Sequence, residues 1–411
     1  MDGITRRDLG RIVTGSVAAL AWSTRSGSAA VGTSALGQEA ARRTARAAGP
    51  PVLYRLSSNE NNYGLAPAAV EALKTGKSYA NRYGGESVGQ LTEALAKMHG
   101  VPAEHILLAP GSGEILRAVT LAFTTTTKGL IAAAPTFESP VRTAKSAKSP
   151  VQEVPVLADG THDLKAMVAA ANATTGLAFV CNPNNPTGGI NIGTAVREFM
   201  VAFRAAAPEA YVLVDEAYYD YVTDGSYETA VPYTQKDKRV LVSRTFSKIH
   251  GMAGLRVGYV IGQPETLSQV RAKTSSGTLS SVSAGAALAS LEDQTHLAKQ
   301  KALNAEARTY TRGAFEKAGY KVLPSEGNFV MVDVRRPSTE FQELCRDAGV
   351  SVARAFPPMT NYSRITIGTV EEMKKAVALM LPLLTAPAKP KATTPTSSGD
   401  GDSAEHYEYS C

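Results

Sequence analysis

The sequence predicts a three-layer α/β fold, a mostly parallel sheet with helices on both faces, joined to a smaller α+β domain. Short apolar runs alternate with longer amphipathic stretches up to about residue 290, which is typical of strands alternating with helices. After that point the chain changes to a long helix rich in Ala, Lys and Glu, followed by short strands. A chain of 411 residues is too long for one ordinary hydrophobic core, which predicts two domains or one large domain with a smaller one.

Six short apolar runs, each followed by turn residues, are predicted to be buried strands of the large sheet. Helical patterns lie between several of them, including 114–123 and 195–207. In a sheet of this kind, ligands bind beyond the carboxyl ends of the strands. The predicted strands are 106–109, 129–133, 177–181, 211–214, 239–242 and 257–261.

The predicted domain boundaries follow these changes in pattern. Residues 76–290 form the large domain, and residues 51–75 together with 291–385 form the small domain. Short strands are expected in the small domain at 321–323, 328–334 and 364–367. Residues 386–411 are rich in Pro, Ser, Thr and Gly without a periodic apolar face, which predicts a disordered tail.

The first 30 residues are predicted to be an export signal. The pair Arg6 and Arg7 precedes an apolar run from about Ile12 to Trp22, and small residues follow the run. This layout resembles a twin-arginine signal and predicts an exported or periplasmic protein. The run is about half of the roughly 20 residues that a membrane-spanning helix needs, so no stable membrane insertion is expected. The alternative is a frayed basic tail on a cytoplasmic protein.

Charge and cysteine content argue against two classes of partner. The net charge is +6, but four of these charges come from residues 1–50. The remaining chain has no stripe of Lys and Arg interleaved with aromatic residues, so a nucleic-acid partner is not expected. Cys181, Cys345 and Cys411 are too widely spaced for a CxxC metal pattern or a disulfide framework, and no metal site is predicted.

Lys248 carries the strongest chemical signal. It follows a predicted buried strand and lies among hydroxyl residues, where desolvation can lower the pKa of an amine enough to make it a nucleophile toward a carbonyl. Thr245 and Ser247 offer hydroxyl groups, and Arg256 offers a guanidinium, all of which suit a phosphate. An exposed lysine in a Ser/Thr loop is the alternative for this segment taken alone.

Two further segments place polar groups at the ends of apolar strands. Asp215 ends one strand and Tyr218 follows three residues later; a buried aspartate needs a cationic or hydrogen-bonding partner, although a helix-capping role is the alternative. Asn185 lies in an Asn-Pro-Asn-Asn-Pro-Thr-Gly turn, where prolines and glycine fix the backbone. A simple tight turn would give the same pattern.

Two weaker candidates follow other strands. Ser112, Gly113 and Glu114 lie between a strand and a helix, where free backbone N–H groups attract phosphate, although many such turns bind nothing. Phe137, in an Ala-Pro-Thr-Phe segment, could stack on a flat cofactor, but a lone phenylalanine is more often a core residue.

Taken in order, these motifs resemble those of class I and II aminotransferases of fold type I, which use pyridoxal 5'-phosphate (PLP). The resemblance covers about residues 52–385, and the histidinol-phosphate aminotransferase subfamily is the most similar in pattern. It includes Gly-Ser-Gly-Glu at 111–114, Asp-Glu-Ala-Tyr at 215–218, Ser-Lys at 247–248 with an arginine eight residues later, and Arg-Ile-Thr-Ile-Gly-Thr at 364–369.

The resemblance implies a role for each candidate. Lys248 would bind PLP as a Schiff base and then carry the proton between the substrate Cα and the cofactor. Asp215 would keep the pyridine nitrogen protonated, and Asn185 and Tyr218 would hydrogen-bond the 3'-oxygen. Phe137 would stack on the ring. The phosphate group would be bound by Ser112, Gly113, Glu114 through its backbone N–H or as a cap, Thr245, Ser247 and Arg256.

Substrate binding and assembly are also implied by the resemblance. Arg364 would pair with the substrate carboxylate, Arg354 would help to bind a substrate phosphate, and Tyr63 would face the substrate. Tyr83 would reach the PLP phosphate in a neighbouring subunit, which implies a homodimer.

The expected function is therefore transfer of an amino group between an L-amino acid, or an amino-alcohol phosphate such as histidinol phosphate, and a 2-oxo acid. Decarboxylation, cyclisation or oxidation at Cα would use the same cofactor-binding residues and remains the alternative. A binding or regulatory protein of this fold that had lost catalysis is a further alternative, in which Lys248 or Asp215 would be replaced.

Overall fold

A computed structural model describes residues 51–82, 85–275 and 279–387. The predicted signal peptide, Tyr83, Cys411 and all but the first two residues of the predicted tail lie outside the described residues. The described residues belong to one compact unit. No helix among them is long and apolar enough to cross a membrane.

Eleven strands are present in the described residues. In chain order they are β1 (Tyr54–Leu56), β2 (Ile106–Ala109), β3 (Gly129–Ala134), β4 (Val151–Pro155), β5 (Thr175–Cys181), β6 (Tyr211–Asp215), β7 (Val240–Thr245), β8 (Gly258–Ile261), β9 (Phe329–Asp333), β10 (Val350–Val352) and β11 (Tyr362–Thr366).

Twelve α-helices accompany these strands in the same residues. They are α1 (Pro67–Gly76), α2 (Glu86–His99), α3 (Ser112–Phe123), α4 (Ser139–Ser146), α5 (Leu164–Ala170), α6 (Gly193–Ala206), α7 (Val231–Lys236), α8 (Pro264–Arg271), α9 (Ser281–Glu292), α10 (Gln294–Lys317), α11 (Ser338–Asp347) and α12 (Val370–Leu383).

The large sheet has seven strands in the order β2-β8-β7-β6-β5-β3-β4. All pairings are parallel except those of β8, which runs antiparallel to both β2 and β7. The prediction of a mostly parallel sheet with six buried strands is confirmed. The seventh strand, β4, was not expected from the sequence: it lies at the edge, and only Val154 of its five residues is buried, so it lacks the continuous apolar run of a central strand.

Helices cover both faces of this sheet. All seven residues of β5 are buried, and they alternate between two separate apolar clusters: Ala178 and Val180 in one, Leu177 and Phe179 in the other. Successive side chains of a strand point to opposite faces, so the two clusters lie on opposite sides of the sheet. Helices α2 and α6 contribute to the first cluster and α3 to the second. This is the expected three-layer arrangement.

A second core lies in the chain after α9. Strands β9 and β11 pair antiparallel, and β10 pairs in parallel with β1 from the start of the described chain. Their apolar residues pack with the long helix α10 and with α12, around Phe315 and Phe341. The strand predicted at 321–323 is wrong, because only a single bridge joins Val322 to Val332. The exact division into domains stays a prediction.

Candidate active site

Polar side chains meet at the carboxyl ends of the central strands β5, β6 and β7. The last residues of β5 and β6 are register partners, Cys181 beside Asp215, and Asp215 is in turn beside Ser243 of β7. Asn185 follows β5, and Lys248 follows β7. The parallel sheet thereby brings Asp215, Asn185 and Lys248 to the same edge, as expected for a ligand site of an α/β protein.

Lys248 is almost completely buried, with 5% of its surface exposed. Its Nζ donates a hydrogen bond to the carbonyl oxygen of Asn59 at 3.2 Å, and it lies 5.6 Å from the centre of the Tyr218 ring. The alternative of an exposed loop lysine is wrong.

Asp215 is also buried, and its carboxylate accepts a hydrogen bond from Ser243 Oγ at 2.8 Å. Burial raises its pKa to about 6, against the opposing effects of the Ser243 hydroxyl and the positive charge of Lys248. The carboxylate is thus only partly compensated by its surroundings. A bound cationic N–H group would supply the missing compensation.

Asn59 connects the two cores at this site. It adopts a left-handed backbone conformation with a φ of 53°. Its side-chain Nδ2 donates to the Tyr218 hydroxyl at 3.0 Å, while its backbone N–H and its Oδ1 both bond to Thr366 Oγ1. Its carbonyl oxygen accepts from Lys248 and from Asn328. This role of Asn59 was not predicted from the sequence.

Tyr218 is buried against Phe329 of β9, with ring centroids 5.0 Å apart in an edge-on arrangement. Burial raises the pKa of its hydroxyl well above the ordinary value, partly offset by the positive charge of Arg364 and by the Asn59 hydrogen bond. The phenol therefore stays protonated at physiological pH and can donate a hydrogen bond.

A candidate phosphate site lies between β7, β8 and the start of α3. Arg256 Nη1 is 3.3 Å from Ser247 Oγ and donates to the Ala253 carbonyl at 3.0 Å. Arg256 has a φ of 54°, a conformation that non-glycine residues adopt at a cost and that often marks functional sites. Thr245 Oγ1 accepts from the Ser247 amide at 3.1 Å. Hydroxyl groups and a guanidinium are therefore gathered in one place, as predicted.

The N-terminus of α3 faces this arginine. A Cβ atom added at Gly111, the residue before α3, would lie 2.2 Å from Arg256 Nη2, so the backbone and guanidinium are in close contact. The first residues of α3, Ser112 and Gly113, have backbone N–H groups without intrahelical acceptors. These groups and Arg256 can bind one anion together.

The Glu114 side chain is directed elsewhere. Its carboxylate accepts bonds from the backbone N–H and hydroxyl of Ser275, and it pairs with Arg117 at 3.3 Å. Burial would raise its pKa, but the Ser275 hydrogen bonds and Arg117 outweigh that effect and the pKa is lowered. Glu114 was predicted to act through its backbone N–H or as a cap. Because its carboxylate is bonded to Ser275 and Arg117, its backbone N–H is the group that can bind a phosphate.

Arg364, in β11, is buried beside Asn185. Its Nη1 donates to Asn185 Oδ1 at 2.5 Å and its Nη2 to the Ser57 carbonyl at 2.7 Å. Its Nε has no hydrogen-bond partner among the described residues. Burial lowers the pKa of this guanidinium to about 10, which leaves it charged at neutral pH. A buried cation with donors to spare is suited to bind a carboxylate.

The other predicted residues lie around this centre. Phe137 is partly buried and packs against the cluster that includes Val141. The Tyr63 hydroxyl accepts a bond from the Val370 amide at the start of α12. Arg354 is half exposed and pairs with Glu138. The roles predicted for these three residues stay predictions, and Tyr83 lies outside the described residues.

Comparison with known proteins identifies this arrangement. Residues 51–379 match the family described as aminotransferase class I and II. The chain belongs to this family. It is 36% identical over 322 residues to the histidinol-phosphate aminotransferase of Moorella thermoacetica, covering 77% of this chain and 82% of that protein. It is also 36% identical over 321 residues to the aromatic amino acid aminotransferase of Thermobifida fusca, covering 77% and 87%.

Solved structures of aminotransferases share the fold. The histidinol-phosphate aminotransferase of Sinorhizobium meliloti in complex with pyridoxal-5'-phosphate superposes with a TM-score of 0.75 at 22% identity, covering 87% of this chain and 95% of that one. The predicted fold type I, the PLP cofactor and the transaminase activity are confirmed by the family and its relatives.

The residues at the sheet edge fit PLP chemically. A buried amine at Lys248 matches the aldehyde, and the partly compensated carboxylate of Asp215 matches a protonated pyridine nitrogen. Arg256, Ser247 and the start of α3 match the phosphate, in a cradle so close that a side chain at Gly111 would fill it. This aminotransferase thus has a complementary group for each reactive part of the cofactor.

Proposed function

We propose that this aminotransferase transfers an amino group from a donor with an anionic group next to the reacting carbon to a 2-oxo acid, with Lys248 as the amine that binds PLP. The observation that carries the proposal is the burial of Lys248 and Asp215 at the carboxyl ends of the central strands, with the buried Arg364 bonded to Asn185 beside them. Lys248 and Asp215 suit the cofactor, and Arg364 suits the anionic end of a substrate.

Each residue has a distinct task in this proposal. PLP, when bound, supplies the electron sink that makes the Cα–H bond of the donor acidic. Lys248 would anchor the cofactor through its amine and, once displaced by the donor, would move a proton from the donor Cα to the cofactor carbon that carried the aldehyde. Asp215 holds a proton on the pyridine nitrogen. Tyr218 donates a hydrogen bond through its protonated hydroxyl to the 3'-oxygen of the cofactor. Asn185 can donate its amide N–H to the same oxygen, because its side-chain oxygen already accepts from Arg364.

Arg364 orients the donor. Its guanidinium is fixed by Asn185 and by the Ser57 carbonyl, so an anion that binds it is held beside the residues that bind the cofactor. One similar protein is named for histidinol phosphate and another for aromatic amino acids. The donor is accordingly either an L-amino acid, which presents a carboxylate, or an amino-alcohol phosphate.

A donor screen tests this function. Purified protein with PLP is incubated with individual L-amino acids or with L-histidinol phosphate, and with 2-oxoglutarate as acceptor. Transamination gives one glutamate for each donor consumed and a keto product that keeps all donor carbons. Release of CO₂ or peroxide in place of glutamate would instead favour decarboxylation or oxidation at Cα.

We further propose that the enzyme is a homodimer in which Tyr83 reaches the cofactor phosphate of the partner subunit. The support is the position of Tyr83 in an Asn-Arg-Tyr triplet that resembles those of the family. Lys248→Ala and Tyr83→Phe variants, each of low activity alone, should regain activity when refolded together, because mixed dimers contain one intact site. Failure of the mixture to exceed the separate variants would contradict the shared site.

Export through a twin-arginine signal is the third part of the proposal. The support is the Arg6-Arg7 pair ahead of the short apolar run. Replacement of both arginines by lysine should leave the enzyme in the cytoplasm of its host, measured by fractionation against a cytoplasmic marker. Unchanged export of the double variant would overturn the assignment.

A further inference from the structure

Glu138 and Arg354 form an ion pair near the predicted substrate-binding arginine. Arg354 Nη2 lies 2.6 Å from Glu138 Oε2, and its Nη1 donates to the Ala355 carbonyl at 2.7 Å. Glu138 directly follows Phe137, the residue predicted to stack on the cofactor, and precedes α4. The two charged residues are far apart in the sequence and meet only in the folded protein.

Phe356 joins this pair to Arg364. The guanidinium carbon of Arg354 lies 4.5 Å from the centre of the Phe356 ring, and that of Arg364 lies 4.8 Å from the same centre. Beyond the effect of burial, the pKa of Arg364 is lowered by the charge of Arg354 and raised by that of Glu138. The charges of Glu138, Arg354 and Arg364 are therefore close enough to act on one bound substrate.

The charge balance of this group depends on Glu138. Without the glutamate, Arg364 and Arg354 would present two positive charges, which suits the roughly two negative charges of a phosphate monoester. With the glutamate in place, Arg354 is neutralised and Arg364 remains as a single cation, which suits the one negative charge of a carboxylate. A phosphate that drew Arg354 to itself would also lie near the Glu138 carboxylate, and like charges placed together disfavour binding.

We propose that Glu138 determines donor specificity: by pairing with Arg354 it favours a donor with a carboxylate beside the reacting carbon, an L-α-amino acid, over an amino-alcohol phosphate. This inference rests on the proposed function, because it concerns how the same site chooses its donor. Glu138 acts through Arg354 and is a positioning residue.

The solvent exposure of Glu138 and Arg354 limits how strongly Glu138 can affect donor selectivity. Both side chains are about half exposed, with 53% for Arg354 and 40% for Glu138, so the ion pair itself is weak and can open. The selectivity comes mainly from the charge that Glu138 leaves beside a bound dianion. We expect a preference on the order of 10-fold, which corresponds to about 1.4 kcal/mol.

Matched donor pairs test the inference. L-histidine and L-histidinol phosphate share the imidazole side chain and differ in the anionic group, as do L-phenylalanine and L-phenylalaninol phosphate. For each pair, kcat/KM of the amino acid is divided by that of the phosphate, with 2-oxoglutarate as acceptor. The wild-type ratio should be above about 10, and Glu138→Gln should lower it by about 10-fold.

Two controls separate this effect from a general loss of charge or stability. Adding Arg354→Gln to Glu138→Gln should abolish the gain in phosphate turnover, because the freed arginine is its source. Glu153→Gln removes another exposed glutamate, also 40% exposed, from an ion pair of the same 2.6 Å length with Lys145, and it should leave the ratio unchanged.

The outcomes distinguish this inference from the proposed function. Turnover of an amino acid together with a wild-type ratio below one, or a ratio that Glu138→Gln does not change, overturns the role of Glu138 and leaves the transaminase intact. If no donor of either kind gives glutamate, the proposed function fails and the specificity inference fails with it.

Discussion

Replacing Asp215 with asparagine is expected to stabilise the cofactor-free protein near neutral pH while removing most of its activity. Asp215 is 3% exposed, and burial raises its pKa to about 6 from the ordinary 3.8. At about 1.36 kcal/mol for each unit of pKa difference, this change corresponds to a penalty of about 3 kcal/mol for the ionised carboxylate in the folded protein. Asparagine has nearly the same shape, keeps an acceptor for Ser243 and has no charge to bury.

The sign of the pH dependence follows from proton binding. The folded carboxyl binds its proton more tightly than the unfolded one, so the wild-type protein gains stability as pH falls from above 6 to below 3.8. The asparagine variant has no such gain at this position. Its advantage should be largest, up to about 3 kcal/mol, at pH 7.5, and most of it should be gone by pH 4.

Urea denaturation of both cofactor-free proteins between pH 4 and 8 measures this difference. Circular dichroism is the suitable probe, because the single tryptophan, Trp22, lies in the predicted signal peptide. With PLP, the wild type should gain more stability than the variant, and kcat of the variant should be lower by on the order of 100-fold or more.

Glu114, a carboxylate whose pKa is shifted in the opposite direction, provides the control. The pKa of Glu114 is lowered in the fold, so Glu114→Gln should slightly reduce stability at pH 7.5. If the Asp215 variant were no more stable than wild type at pH 7.5, or if its advantage did not shrink toward pH 4, the reasoning from burial would be refuted.

Three further substitutions test the other parts of the site. Lys248→Ala should lose the visible or near-UV absorbance band that borohydride bleaches in the wild type, with turnover lower by about 1000-fold or more; a variant with full turnover would show that another amine binds the cofactor. Gly111→Ala would place a Cβ 2.2 Å from Arg256 Nη2 at a φ of 84°, and PLP affinity measured by dialysis should fall by about 10-fold, whereas Gly89→Ala, which meets no atom within 4 Å in helix α2, should leave affinity unchanged. Arg364→Gln should lower kcat/KM for amino acid donors by on the order of 100-fold, mainly through KM, since a charged hydrogen bond contributes about 1.5–3 kcal/mol; an unchanged KM would exclude Arg364 from carboxylate binding.

Much of the large sheet could be predicted from the sequence because its strands are buried on both faces. Continuous apolar runs such as that of β5 are visible without any tertiary information. Strands that are exposed or very short gave no such signal: β4 has one buried residue, and β1 and β10 have three residues each. Their conformation depends on the partner strand with which they pair.

The direction of a strand could not be predicted from the sequence either. The apolar run that forms β8 predicts a buried strand but not that it runs antiparallel to its two neighbours. At the active site, the sequence indicated Lys248 and Asp215 through the strands that precede them. It gave no sign that the Asn59 carbonyl would accept from Lys248, because these residues are 189 positions apart.

By itself, the sequence determined the chemical groups available to this aminotransferase and the strand ends at which they occur. The order of buried strands brings Lys248, Asp215 and Asn185 to one edge, because parallel strands place their carboxyl ends together. Only the tertiary structure decided how the second core joins that edge, with Asn59 on Tyr218 and Arg364 on Asn185. It alone also paired Glu138 with Arg354. These contacts join residues far apart in the chain, and an ion pair or hydrogen bond depends on distance in space, which local sequence pattern does not specify.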